Sequence, residues 1–167
     1  MSLRLILTRH AKSSWGNPGL GDHDRPLNGR GRTSAEKIGA WLAARGDVPG
    51  AVLSSTSART RETWARMAPA FADAPEPRWE GALYHAGPQT MLEVLQTAPP
   101  AARVLLLAHN PGIAEFAARI VTQPPDHPRF DDYPTAATTV IDFDVGAWAD
   151  VDWRMGTPVA FAIPREL

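Results

Sequence analysis

The stretch LRLILTRH, residues 3–10, ends an apolar run on an arginine and a histidine. Two further apolar runs, AVLSS at 51–55 and RVLLLA at 103–108, are similar in length. None of the three alternates strictly between apolar and polar residues, a pattern typical of strands that are buried on both faces of a parallel sheet. We therefore predict three core strands at these positions.

Helical segments follow these strands in the sequence. The segment 31–45 places its apolar side chains on one face, and Gly46 predicts where that helix ends. Ser57 is placed to cap a second helix over 57–71. The other two helices are predicted at 87–98 and at 110–121, the latter with Asn110 as N-cap and Pro111 in the first helical position.

Strands that alternate with helices predict an α/β fold. We expect a three-layer α/β/α sandwich around a mostly parallel central sheet, formed by one domain over residues 1–167. The C-terminal part differs, because TTVIDFDV (138–145), VDWRMG (151–156) and PVAFAI (158–163) favour short strands without long helices between them. We expect the first and second of these to form an antiparallel hairpin at the edge of the sheet.

The composition excludes several classes of function. The chain has 167 residues and a formal net charge of −1, so it lacks the overall positive charge that favours nucleic-acid binding. It has no cysteine, which excludes a disulfide scaffold, a thiolate zinc site and a cysteine nucleophile. We find no signal peptide and no apolar run of membrane-spanning length. We expect a cytoplasmic monomer without nucleic-acid or membrane partners.

Each predicted core strand leads to a basic or imidazole side chain. The first ends in Arg9 and His10, the second leads through a short polar segment to Arg59, and the third ends in His109 and Asn110. Because ligands bind at the carboxyl ends of strands in open α/β sheets, we expect these side chains to converge. The guanidinium group of arginine can donate two hydrogen bonds to phosphate oxygens, and a neutral histidine can attack phosphorus and carry the phosphoryl group covalently. The pattern predicts a phosphoryl-transfer site that needs neither metal nor cofactor.

Three segments resemble one known family. LTRHAKSSW (7–15) is similar to the Arg-His-Gly signature of the histidine phosphatase superfamily, with Ala11 where glycine is usual. LSSTSARTRETW (53–64) and LLLAHNPGI (105–113) resemble the arginine and second-histidine segments of that family. The short chain and DHDRPLNGRGRTSA (22–35) narrow the resemblance to the SixA-like phosphohistidine phosphatases, which have the phosphoglycerate-mutase-like fold.

The resemblance implies a role for each residue at the strand ends. His10 would be the nucleophile, whereas Arg9, Arg59 and His109 would bind the phosphoryl oxygens. The reaction would then pass through a phosphohistidine on the enzyme and release inorganic phosphate.

Further substrate contacts are expected from the loops around this site. Arg25 would also reach the anion by resemblance, and a salt bridge to Asp22 or Asp24 in the same loop is an equally good account of it. Asn110 can contact the substrate or cap a helix. His85 can line the mouth of the site or stand exposed in its loop.

The remaining candidates are a backbone amide and a carboxylate. Ala136, which precedes a C-terminal strand, can offer its amide to phosphate. Larger relatives carry an acid that protonates the leaving oxygen, and Glu80 is the only carboxylate of the corresponding segment PRWEGALYHAGPQT (77–90). The acidic segment GDHD (21–24) lacks the ligand spacing of a metal site, so we expect a solvated loop and no metal there.

The sequence alone does not place Glu80 in the site, and SixA-like members lack an obvious acid, which guides the choice of substrate. A phosphohistidine leaves as neutral imidazole when its other ring nitrogen is protonated, and imidazolium has a pKa of ~6.5, whereas an alkoxide needs a general acid. We therefore predict a phosphatase that acts on phosphohistidine carried by a protein. The alternatives are a phosphomonoesterase for small phosphorylated molecules on the same fold and a non-catalytic module that binds phosphate or a phosphoprotein.

Overall fold

A six-stranded sheet runs through the centre of the computed structural model, which describes residues 2–167. The spatial order of the strands is β3-β2-β4-β1-β5-β6. The first four are parallel to one another, whereas β5 and β6 pair antiparallel at one edge. The predicted mostly parallel sheet with an antiparallel edge is confirmed. The strands are β1 (Leu3–Arg9), β2 (Ala51–Ser54), β3 (Arg78–Trp79), β4 (Arg103–Ala108), β5 (Thr138–Phe143) and β6 (Thr157–Ala162).

Four α-helices cover the two faces of this sheet. They are α1 (Gly29–Arg45), α2 (Ala58–Met67), α3 (Pro88–Leu95) and α4 (Gly112–Ile120). Leu5 and Leu7 of β1 belong to the apolar cluster that includes α3 and α4, while Ile6 belongs to the cluster that includes α1 and α2. Alternate side chains of one strand thus face different helix pairs, which confirms the three-layer sandwich. None of the helices in residues 2–167 combines the length and apolarity of a membrane span.

The helix ends follow the predicted signals with one difference. Gly46 ends α1 with a φ of 78°, a left-handed conformation that favours glycine. The Ser57 hydroxyl caps α2 by accepting from the amide of Thr60. Helix α4 begins at Gly112, two residues after the predicted cap, with Pro111 at the N-cap position. Asn110 still satisfies a free amide of this helix, because its Oδ1 accepts from the Ala114 N–H at 3.2 Å.

The predicted pairing of the C-terminal hairpin was wrong. The partner of β5 is β6 at Thr157–Ala162, and residues 151–156 form a turn with only a single bridge from Gly156 to Val121. Arg154 has a φ of 62°, which a strand residue does not adopt. The apolar residues of this segment made it similar to a strand in sequence, but its backbone reverses direction instead.

A close backbone contact joins α4 to the loop before α3. A Cβ atom added at Gly112 would overlap the carbonyl oxygen of Ala86. The ring of Tyr84, two residues earlier in that loop, lies 5.5 Å from the ring of His109, measured between centroids. The glycine at the start of α4 therefore allows this loop to lie against the end of β4.

We expect Gly112→Ala to lower the free energy of unfolding by about 1–3 kcal/mol, because the backbone of Ala86 must move to admit the methyl group. Gly29→Ala is the matched control, since a Cβ there meets no atom within 4 Å. Urea unfolding of both variants measures the difference. Equal stability of the two would show that the contact at Gly112 is not a constraint.

Candidate active site

The carboxyl ends of β1 and β4 bring two histidines together. These strands are hydrogen-bonded neighbours, and the ring centroids of His10 and His109 lie 5.2 Å apart. A cleft of about 240 Å³ opens at this point. Ten residues from five segments of the chain line it: Arg9, His10, Lys12, Ser13, Trp15, Arg25, Arg59, His109, Asn110 and Thr135.

His10 is buried and is held as one tautomer. Its Nδ1 lies 2.7 Å from the carbonyl oxygen of Ala11, and because a carbonyl only accepts, Nδ1 carries the proton of the neutral ring. Burial, assisted by the charges of Arg9 and Arg59, lowers the pKa of His10 to about 3, against the opposing effect of the Ala11 hydrogen bond. At neutral pH the ring is therefore uncharged, with a lone pair on Nε2.

His109 is also buried and uncharged. Its Nε2 lies 2.7 Å from the hydroxyl oxygen of Ser55, at the end of β2. Burial lowers the pKa of His109 to about 2, with smaller contributions from His10 and Arg59. The other ring nitrogen, Nδ1, is buried and has no hydrogen-bond partner among the described residues. In the tautomer that carries its proton on Nδ1, an oxyanion beside this ring would supply the missing acceptor.

Three arginines surround the two rings. Arg9 donates to the carbonyl oxygen of Tyr133 at 3.1 Å, and Arg25 donates to the Ser13 hydroxyl at 2.8 Å. Arg59 donates to the backbone carbonyl of Asp22 at 2.8 Å. These bonds fix the direction of each guanidinium group while leaving part of its donor capacity unused.

The unused donors cluster at this cleft. One buried side-chain nitrogen on each of Arg9, Arg59 and His109 has no hydrogen-bond partner within residues 2–167. A buried donor without an acceptor costs free energy, so native proteins leave few of them. Their concentration around one cleft indicates that a ligand with several acceptor oxygens completes the site.

Asp22 organises the outer side of the cleft. It accepts hydrogen bonds from Arg25, Arg59 and the Tyr84 hydroxyl, and the Nε2 of His85 lies 3.1 Å from its Oδ2. The hydrogen bond from Tyr84, together with those from the two arginines, holds the pKa of the Asp22 carboxyl well below its usual range. Asp22 is therefore ionised at neutral pH, and it positions two of the three arginines.

The structure brings most of the predicted residues to one place. The four residues at the strand ends, together with Arg25 and Asn110, line the cleft. Arg25 also forms the predicted salt bridge to Asp22, at 3.1 Å, and its contact with an anion stays a prediction. His85 is half exposed, does not line the cleft and lies 3.4 Å from Arg59. Its contact with a substrate stays a prediction.

Ala136 and Glu80 also lie outside the cleft. The amide of Ala136 already donates to the carbonyl oxygen of His10 at 2.9 Å, so it cannot also bind phosphate, and its neighbour Thr135 lines the cleft instead. Glu80 lies against Arg78, with 2.6 Å between Oε1 and Nε, and is not part of the cleft wall. No carboxylate lines the cleft within residues 2–167.

Several contacts were missed in the sequence. Lys12, Ser13 and Trp15 line the cleft, and their position directly after His10 was the available signal. Tyr133 is fully buried, and its hydroxyl donates to the carbonyl of Leu7 at 2.6 Å, which holds the chain before β5 against β1. Nothing in the local sequence indicates this long-range contact.

Comparison with known proteins agrees with this geometry. The histidine phosphatase superfamily (branch 1) matches residues 5–81. The uncharacterized protein Rv1276c of Mycobacterium tuberculosis is 34% identical over 163 residues, which cover 94% of this chain and 99% of that protein. The chain belongs to the histidine phosphatase superfamily. This assignment makes it a phosphatase, in agreement with the prediction from its motifs.

Two solved structures place the phosphatase in the SixA-like branch. A protein of Nakamurella multipartitia that is proposed to be the phosphohistidine phosphatase SixA superposes with a TM-score of 0.80 and 29% identity, and the match covers 98% of this chain and 97% of that one. The protein proposed to be SixA in Agrobacterium tumefaciens gives a TM-score of 0.78 and 28% identity, and the match covers 97% of this chain and 99% of that one. The phosphoglycerate-mutase-like fold and the SixA-like resemblance are confirmed.

The lowered pKa values of His10 and His109 make the stability of the fold depend on pH. Their pKa values of about 3 and about 2 in the folded phosphatase lie below the ~6.5 of an exposed imidazole. The unfolded chain therefore takes up protons that the folded chain does not, and stability falls as the pH drops below about 6.5. Between about pH 7 and pH 5, we expect the unfolding free energy of the wild type to fall by about 2 kcal/mol more than that of His109→Gln.

Urea unfolding of wild type and His109→Gln at the two pH values measures this difference. Glutamine keeps a polar group near Ser55 without a titrating ring. Parallel pH profiles for the two proteins would mean that His109 is not held neutral by burial.

Proposed function

We propose that this phosphatase hydrolyses phosphohistidine carried on a protein, through a covalent phosphohistidine on its own His10. In the first step Nε2 of His10 forms a bond to phosphorus while the bond between phosphorus and the substrate imidazole breaks. In the second step water attacks phosphorus, the bond to Nε2 breaks, and inorganic phosphate leaves. The proton lost by the attacking water passes to phosphate or solvent.

The tautomer of His10 supports its role as nucleophile. The Ala11 carbonyl keeps the proton on Nδ1, so the lone pair is on Nε2 and the ring needs no base to activate it. Arg9, Arg25 and Arg59 supply fixed positive charge for the phosphoryl oxygens as phosphorus changes partners.

His109 can act as a neutral hydrogen-bond donor to the same group. The Ser57 amide donates to the Ser55 hydroxyl oxygen at 3.4 Å, so the Ser55 hydroxyl hydrogen is free to point at Nε2 of His109. The His109 proton then lies on Nδ1, the nitrogen without a protein partner. Donation from Nδ1 to a phosphoryl oxygen would stabilise developing charge.

The choice of substrate rests on the lack of a carboxylic acid among the described residues that line the cleft. No carboxylate of the described residues lines the cleft. Asp22 accepts hydrogen bonds from two arginines that do line it, and its carboxyl is ionised at neutral pH. An alkyl phosphate needs a protonated acid to release its alcohol, whereas a phosphohistidine that is protonated on its other nitrogen leaves as neutral imidazole. The site therefore favours cleavage of P–N over alkyl P–O bonds.

The shape of the site favours a protein substrate over a metabolite. Trp15 lines the cleft, and 75% of its surface is exposed to solvent. The guanidinium carbon of Arg25 lies 3.6 Å from the centre of the Trp15 ring, and this cation–π contact holds the indole in place. Exposed tryptophans are enriched at protein interfaces, and this one stands at the entrance used by the substrate.

A panel of leaving groups tests the proposal. We expect kcat/KM for a phosphohistidine peptide to exceed that for an alkyl phosphomonoester by about 100-fold or more, because the alkyl ester lacks its general acid. His10→Ala should abolish both activities and the acid-labile, alkali-stable phosphoenzyme. His127→Ala is the matched control, since its imidazole pairs with Glu166 away from the cleft.

The alternatives give different results in the same panel. Equal rates on alkyl esters and phosphohistidine would establish a general phosphomonoesterase. Retained binding of phosphate without turnover by the wild type would establish a binding module.

A further inference from the structure

A second groove, of about 320 Å³, opens beside the catalytic cleft. It shares Lys12 and Thr135 with that cleft, so the two are adjacent. We call it the basic groove, because it is lined by five cationic side chains and, within the described residues, by no carboxylate. The five are Lys12, Arg30, Lys37, Arg129 and Arg165.

These cations come from separate segments of the chain. Arg30, Thr33, Ser34 and Lys37 follow the spacing of one helical face, and they form the side of the groove that belongs to α1. Lys12 comes from the loop after β1, and the others come from the segments before β5 and after β6. A solvated helix face alone does not explain positive charge that converges from four segments.

Most of the positive charge in the groove is unpaired. Arg129 forms an ion pair with Asp132 at 2.9 Å. The other four cations form no ion pair with any residue between 2 and 167, although most arginines elsewhere in the fold are paired. Because the whole chain has a net charge of −1, this excess is local and creates a positive field next to the cleft.

The groove also has an apolar surface. Pro134, Ile163 and Pro164 line it together with the cations. Such a mixture fits an extended polypeptide, whose backbone and aliphatic carbons contact the apolar residues while carboxylates meet the charges.

We infer that the basic groove binds acidic residues that flank the phosphohistidine of the protein substrate. This inference rests on the proposed function, and it adds which phosphoproteins are selected. A chain whose phosphorylated side chain enters the cleft continues past Lys12 and Thr135 into the groove. Complementary charge then speeds encounter and lowers KM, and both effects weaken as salt increases.

Two phosphohistidine peptides of equal length test the inference in the wild type. In one the residues flanking phosphohistidine are glutamate, and in the other they are glutamine. We expect KM for the acidic peptide to be lower by about tenfold at low salt, with similar kcat for both. Increasing the salt concentration should reduce this preference.

A variant with three neutralised cations locates the effect. Arg30→Gln, Lys37→Gln and Arg165→Gln together should remove the preference for the acidic peptide, while kcat on a small aryl phosphate reports that the fold and cleft are intact. The control combines Arg66→Gln, Arg103→Gln and Arg154→Gln, three exposed positions outside the groove with the same change in net charge. The control should keep the preference.

The outcomes separate this inference from the proposed function. Equal KM for the two peptides in the wild type, or a preference that survives in the groove variant, overturns the inference. If neither peptide is hydrolysed, the proposed function fails. In that case binding of the unphosphorylated peptides tests the groove. The inference is supported if the wild type binds only the acidic peptide and the groove variant binds neither. Any other result overturns it.

Discussion

The parallel pairing of β1 with β4 is the constraint on which the site depends. Its register places Arg9 opposite Ala108, so the next residues along each strand, His10 and His109, leave the sheet at the same level. Each strand is buried on both faces and cannot slip without exposing its apolar side chains. The separation of 5.2 Å between the two rings therefore follows from the packing of the core.

The charges around this pair are balanced only in part. Burial and the neighbouring charge of Arg59 lower the pKa of Arg9, and the same surroundings keep both imidazoles neutral. Asp22 offsets the charge of Arg25 and Arg59 from the outer side. Buried cations without full compensation destabilise a fold, so a bound anion would stabilise this one. The basic groove extends this positive field beyond the cleft.

The sequence predicted the features that depend on local patterns. Apolar runs identified the core strands, and the polar residues directly after them identified the centre of the site. Two placements were missed. Glu80 pairs with Arg78, two residues earlier in the chain, and the amide of Ala136 donates to the carbonyl of the distant His10, so neither residue is part of the cleft. The GDHD loop resembled a solvated segment, because nothing local shows that Asp22 meets Arg59 and Tyr84.

The position of the phosphoryl group on the enzyme tests the account most directly. The phosphoenzyme can be quenched in alkali, where phosphohistidine is stable, and examined by ³¹P NMR with ¹⁵N-labelled histidine. We expect phosphorus bonded to Nε2 of His10, because the Ala11 carbonyl keeps the proton on Nδ1. Phosphorus on Nδ1 of His10, or on any other residue, would contradict it.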